Sequence, residues 1–345
     1  AGFDHRAAEI VAYCAQYVDD ATNSGVIEFD NGANCERISS AHKTLDYRNF
    51  ESLANHRVWI PFHFLPGNGG VPAGQDPPGT FIDKLRCVPD SPVARDMLRA
   101  CIHNQHFDPA HPDAPNAALH RLGITMHVYA DTWAHQGFAG VNHEVNAAFH
   151  LRGPDGRPDE GTMSRMIGYF LGTSLPLGHG AVLSNPDKPY LVWSYTNGRD
   201  EVIHRDNPTD FVNAAQAMCV AMQRFRVGGE AARVPGMSAK DRGVFEELIR
   251  GTREVDGEVR HRVWLAAIAD GAFSFGPAEV GYVAKGVGSW KHAALGTTAE
   301  RDSFEEFPYT PEFMRSDWKL FHDALQEHRF VVLHHILPRY GICAA

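Results

Sequence analysis

The stretch from Leu119 to Gly140, LHRLGITMHVYADTWAHQGFAG, constrains this chain more than any other. His127, Asp131 and His135 recur at every fourth residue. On a helix that spacing advances each side chain by about 40° around the axis, so all three share one stripe. His120 falls about two turns earlier on the same stripe. Leu119, Leu122, Ile124, Met126, Val128, Tyr129 and Trp133 occupy most of the remaining positions. A helix apolar nearly all round is buried inside a large protein. Imidazoles and a carboxylate buried in register are costly unless hydrogen-bonded, paired or bound to a cation. A single i, i+4 His/Asp pair is often only a side-chain hydrogen bond. Three such groups on one apolar helix point to a metal, which takes imidazole nitrogen and carboxylate oxygen together.

The chain has 345 residues, 43% of them hydrophobic, enough to bury a large core. No long linker or internal repeat divides it, so a single domain over 1–345 is expected. No segment shows sustained period-2 alternation, and the expected class is mainly α, one all-helical domain with long Gly/Pro-rich loops. Helices are predicted over 5–20, 91–106, 119–137, 162–173, 208–226, 239–255 and 311–335, with 26–66 irregular. The net charge of −10, without any basic run, argues against a nucleic-acid groove. No apolar run approaches the ~18 residues of a membrane span. The 6 cysteines are scattered without a C-x-x-C pair, which fits buried, reduced thiols. No signal peptide opens the chain. A cytoplasmic location is therefore expected, and a secreted form already processed is compatible with the same sequence. The oligomeric state leaves no mark.

Histidine is abundant, at 20 residues, and several histidines and acids sit beside backbone breakers or aromatic rings. Asp19 and Asp20 end the first predicted helix, where carboxylates oppose the macrodipole unless a cation sets the preference. His42 lies in SSAHKT, and His63 stands between Phe62 and Phe64 in VWIPFHFLP. His179 occupies a Gly-His-Gly bend that leaves an imidazole accessible, and Asp187 follows in Asn-Pro-Asp. The candidate ligand set is thus Asp19, Asp20, His42, His63, His127, Asp131, His135, His179 and Asp187, enough for two or three ions. Convergence on the central helix would explain all of them with one cause. The dipeptide His322-Asp323 on the last helix reads instead as surface decoration.

The segments AYCAQYVDDAT, VWIPFHFLP, LGITMHVYADTWAHQGFAG and LGHGAVLSNPDKPYLVWSY together resemble an uncharacterised family of microbial proteins of unknown function. More distantly, the His-x3-Asp helix with its later histidine resembles the zinc-dependent phospholipase C and P1 nuclease fold. That resemblance implies an all-helical domain, three zinc ions and phosphoester hydrolysis. His127 and Asp131 would match the family's His-x3-Asp ligands and His135 the histidine that follows. The chain departs from the pattern after that point: no His-x3-Glu follows, and His179 with Asp187 would substitute. His5 is the only histidine before Asp19, so an altered or absent metal position is expected.

The leading expectation is a metal-dependent hydrolase of a phosphoester, with zinc as the metal, iron as the alternative, and a small-molecule substrate. Such ions activate water and polarise a phosphoryl oxygen. Asp131 and Asp20 are the expected catalytic acids. Two other readings fit the same residues. One is a His/Asp di-iron enzyme of the oxygenase kind. The other is a helical binding protein whose buried histidines form a hydrogen-bonded network. No Gly-x-Ser-x-Gly elbow is present, which disfavours acyl transfer by serine.

Overall fold

A computed structural model describes residues 1–42, 52–103, 117–158, 177–299 and 306–343, without the side chains of 52–55. The predicted central helix is α5, Ala118–Ala134, and twelve of its residues are buried, from His120 to Ala134. Its surroundings explain why it is apolar all round. Helix α1, His5–Asp20, packs along it on one side. Helix α4, Pro92–His103, and the long helix α6, Asn207–Val227, pack against it elsewhere, as does the C-terminal helix Asp317–Phe330. Leu122, Met126, Val128 and Trp133 join one apolar cluster, while Ile124 enters another with Cys14, Val18 and Phe321.

The all-helical expectation is wrong. Among the described residues, two three-stranded sheets stand beside the helices. In one, β1 (Gly25–Phe29) pairs antiparallel with β2 (Asn34–Arg37) and parallel with β6 (Glu306–Phe307). In the other, β3 (Ala148–Arg152), β4 (Val192–Asn197) and β5 (Val202–Asp206) run antiparallel in that order. These strands have two to six residues, too short for alternation to register. In β4 the consecutive residues Trp193, Ser194 and Tyr195 are all buried, so no polar face marks the strand. The stretch expected to be irregular, 26–66, holds β1, β2 and a helix α2, Ser52–Phe62. Helices over Phe81–Leu85 (α3), Gly257–Ala269 and Trp290–Leu295 also went unpredicted. The helix expected over 162–173 lies outside the described residues. No helix among the described residues is long and apolar enough to cross a membrane. All six cysteines are free, and five are buried.

The close approach of α1 to α5 rests on one residue. A Cβ at Gly123 would stand 2.5 Å from both Cys14 Cβ and the Val11 carbonyl oxygen. Glycine therefore lets the two backbones touch, which sets Asp19 at the end of α1 beside His127 on α5. At the other end of α5, Arg205 from β5 donates from Nη2 to the Trp133 and Ala134 carbonyls, each at 3.0 Å. A buried cation there satisfies carbonyls that the helix leaves without partners and suits the macrodipole. Gly123→Val should destabilise the protein by about 2 kcal/mol, since a close-packed interior does not absorb an added side chain. Denaturant unfolding measures this; a change within about 0.5 kcal/mol, the range of ordinary surface substitutions, would contradict the tight α1–α5 contact.

Candidate metal centre

Four histidines meet three aspartates at the C-terminal half of α5. Each histidine arrives by a different local device. His127 comes from α5 itself, and His135 caps that helix, its backbone N–H returning to the Asp131 carbonyl. His63 follows the end of α2, where Pro61 lies inside the last turn. His179 precedes a short turn in which Leu183 adopts φ 52° and ψ −130°, a strained conformation for a residue with a Cβ.

The outer nitrogens of these rings are all spent on backbone carbonyls. His63 Nε2 lies 2.9 Å from the Ser40 oxygen, His135 Nδ1 2.9 Å from the His63 oxygen, and His179 Nδ1 2.6 Å from the Leu183 oxygen. His127 hydrogen-bonds the Ala15 backbone. A carbonyl only accepts, so each of these nitrogens carries the N–H and donates. The opposite nitrogen is then left to bind either a second proton or a cation. This is how metal-ligating histidines are held, the carbonyl fixing both tautomer and ring orientation.

The inner nitrogens face the carboxylates in two groups. In the first, His63 Nδ1 lies 3.2 Å from His127 Nε2, and both lie 3.3 Å from Asp131 Oδ2. Asp19 Oδ1 stands 3.8 Å from each of the two imidazole nitrogens. A tetrahedral ion with nitrogen and oxygen ligands ~2.1 Å away spaces them about 3.4 Å apart, close to these five separations. One proton on His63 Nδ1 satisfies one neighbour, whereas one cation satisfies both imidazoles and an aspartate at once. In the second group, Asp187 reaches His135 Nε2 at 3.3 Å with one oxygen and His179 Nε2 at 3.6 Å with the other. The donor atoms within each triplet, Asp19-His63-His127 and His135-His179-Asp187, lie within 4.8 Å of one another. Asp131 Oδ2 also stands 3.5 Å from His135 Nδ1, the nitrogen that donates to the His63 carbonyl, so it supports the second group through that N–H while its donor atom belongs with the first. Both triplets and Asp131 therefore fit metal ions, by donor chemistry and by spacing.

Charge and packing complete the site. Burial pushes the His127 imidazole down, yet Asp131 and Asp19 outweigh it and raise it to about 9. Burial likewise opposes the charged form of His135, and Asp131 and Asp187 raise it to about 9. Burial pushes Asp131 up, but His135, His127 and His63 hold it well below the usual carboxylate range. His179 is lowered, chiefly by burial. The Phe64 ring stacks on His135 at 4.6 Å and presses on Gly178, where a Cβ would strike the ring. Asp19 and Asp187 keep 53% and 46% of their side chains exposed, so the cluster opens to solvent along its acidic edge.

Not every expected ligand arrives. Asp20 does not: its carboxylate accepts from the Tyr282 hydroxyl at 2.5 Å. Successive residues of a helix point about 100° apart, so Asp19 and Asp20 cannot both face α5. His42 is buried with its ring edge-on to Trp59, which lies against His63, and belongs to neither triplet. His120 stands on the expected stripe but pairs with Asp317 at 3.0 Å. His322 is no surface ornament; it is buried and accepts from the Ile38 backbone N–H. Arg205 and the four backbone carbonyls escaped the sequence reading, since neither a helix-capping arginine from a strand nor a main-chain acceptor has a motif.

The chain belongs, over residues 1–336, to a family of unknown function (DUF6765). No curated protein and no solved structure matches it. No link to the zinc-dependent phospholipase C and P1 nuclease fold is shown, and the two sheets depart from the all-helical domain that resemblance implied.

Unfolded, an imidazole titrates near ~6.5; in the metal-free fold His127 and His135 titrate at about 9. The folded state binds more protons between those values, so this stabilisation is complete below the unfolded value and is lost as pH rises through about 9. Chelator-treated protein should therefore melt lower at pH 9 than at pH 6.5. An ion must displace those protons, and zinc added at pH 7.5 in weak buffer should release about two per chain. A pH-independent melting point together with no proton release would remove both imidazoles from the site.

Proposed function

We propose, from the site alone since membership of the family brings no activity with it, that this protein is a metal-dependent hydrolase of phosphoesters. The observation that carries this reading is the orientation of the four histidines. Each donates outward to a backbone carbonyl and turns its other nitrogen toward Asp19, Asp131 or Asp187. Zinc is the proposed metal, because the donors are imidazole and carboxylate in groups of three. Ions held there would supply activated water and polarisation of a phosphoryl oxygen.

The chain's own residues divide the remaining work. Asp131 is kept ionised and half-buried, which suits a ligand beside His63 and His127 and makes it a poor proton acceptor. Asp19 and Asp187 lie at the open edge and are the carboxylates that incoming water meets. Asp20, expected to be catalytic, is occupied by Tyr282 and has no part in this step.

Protein purified without chelator should carry about two zinc ions per chain and cleave bis(4-nitrophenyl) phosphate. His179→Ala should lose about one ion and keep the other, since the two triplets have no residue in common. Asp131→Ala should lose the ion of the first group, with activity down at least ~100-fold. Elemental analysis and steady-state assay decide the matter. Stoichiometric iron would favour the oxygenase alternative, absence of metal the binding-protein alternative, and zinc without phosphoester cleavage would reject the substrate class.

A further inference from the structure

We propose a second ligand site, on the face of α5 turned away from the histidines, that binds a small carboxylate with an apolar body. Tyr129 sits two residues from both His127 and Asp131, about 200° around the helix, and so faces the opposite side. There a cleft of about 420 Å³ opens between α4, α5 and α6. This is the size of a small-molecule site, ~300–1,000 Å³, and far larger than an accidental packing gap. Leu98 and Ile102 from α4 and Ala217, Val220 and Ala221 from α6 make one wall apolar.

The charged lining selects the ligand. Two acids and three arginines face the cleft. Asp90 is gripped by Arg95 through Nε and Nη2, at 3.2 and 2.6 Å, and accepts from the Tyr129 hydroxyl at 2.8 Å. Glu230 is paired with Arg99. Among the described residues, Arg224 makes no ion pair, and its side chain donates only from Nε, to the Ala232 carbonyl at 3.2 Å. One guanidinium therefore keeps its Nη donors for a ligand. Its planar fork matches a carboxylate, which takes two parallel N–H donors. A dianion would bring a further charge against Asp90 and Glu230, and a neutral ligand would leave the guanidinium unpaired. A monoanion with a short aliphatic body satisfies both Arg224 and the apolar wall.

Calorimetric titration of the full chain with octanoate tests this. Saturable binding at one per chain is expected, with 1-octanol and inorganic phosphate each at least about tenfold weaker, the loss of one good polar or apolar contribution. Arg224→Gln should weaken octanoate about tenfold or more, and Val220→Trp, which fills the cleft from a partly exposed position, should abolish it. Zinc content should stay that of the parent in both variants. If Val220→Trp fails to fold, Arg224→Lys decides in its place: it keeps the charge, loses the fork, and should bind between parent and Arg224→Gln. No saturable heat with octanoate, unchanged affinity in Arg224→Gln, or octanol or phosphate binding as tightly as octanoate would each overturn the site.

Discussion

Four imidazoles donating outward to main-chain carbonyls fix everything else about this centre. A neutral imidazole has one N–H, and once a carbonyl has claimed it the other nitrogen has only a lone pair to offer. Buried beside ionised aspartates, lone pairs repel unless a proton or cation stands between them. The protein therefore holds a set of negative and lone-pair donors whose stability depends on what fills the space among them. Protons serve when metal is absent, which is why His127 and His135 are raised to about 9. An ion serves better, because it meets both imidazoles and an aspartate of the first group at once.

The scaffold contributes mostly by permitting close approach. Gly123 lets α1 lie against α5 so that Ala15 and Asp19 both reach His127. Gly178 gives way to Phe64, which then stacks on His135. Leu183 is held in a backbone conformation that costs energy, and its carbonyl receives the His179 proton at 2.6 Å. Strain at such a position persists only where the surroundings over-determine it. Arg205 steadies the end of α5 from which Asp131 and His135 project.

The central helix was legible because three polar groups in register on an apolar helix must share a partner inside the fold. His63 between two phenylalanines and His179 between two glycines were legible for a related reason: each stands where a solvated residue gains little. Asp19 could not be separated from Asp20, because neighbouring carboxylates at a helix end differ only in the helix's rotation. His42 misled because a buried aromatic contact with Trp59 leaves the same trace as ligation. The sheets were hidden by the shortness of their strands, and β4 also by burial on both faces, so that it alternates nowhere along Trp193-Ser194-Tyr195. Ser40, Ala15 and Leu183 act through main-chain oxygens, which any residue type supplies.

X-ray absorption spectroscopy of protein isolated without chelator, at the zinc edge, tests the centre most directly. The account predicts a first shell of nitrogen and oxygen only, at about 2.0–2.2 Å, with outer scattering from about two imidazoles per ion. A shell containing sulfur at about 2.3 Å, a shell without imidazole, or no bound metal at all would contradict it.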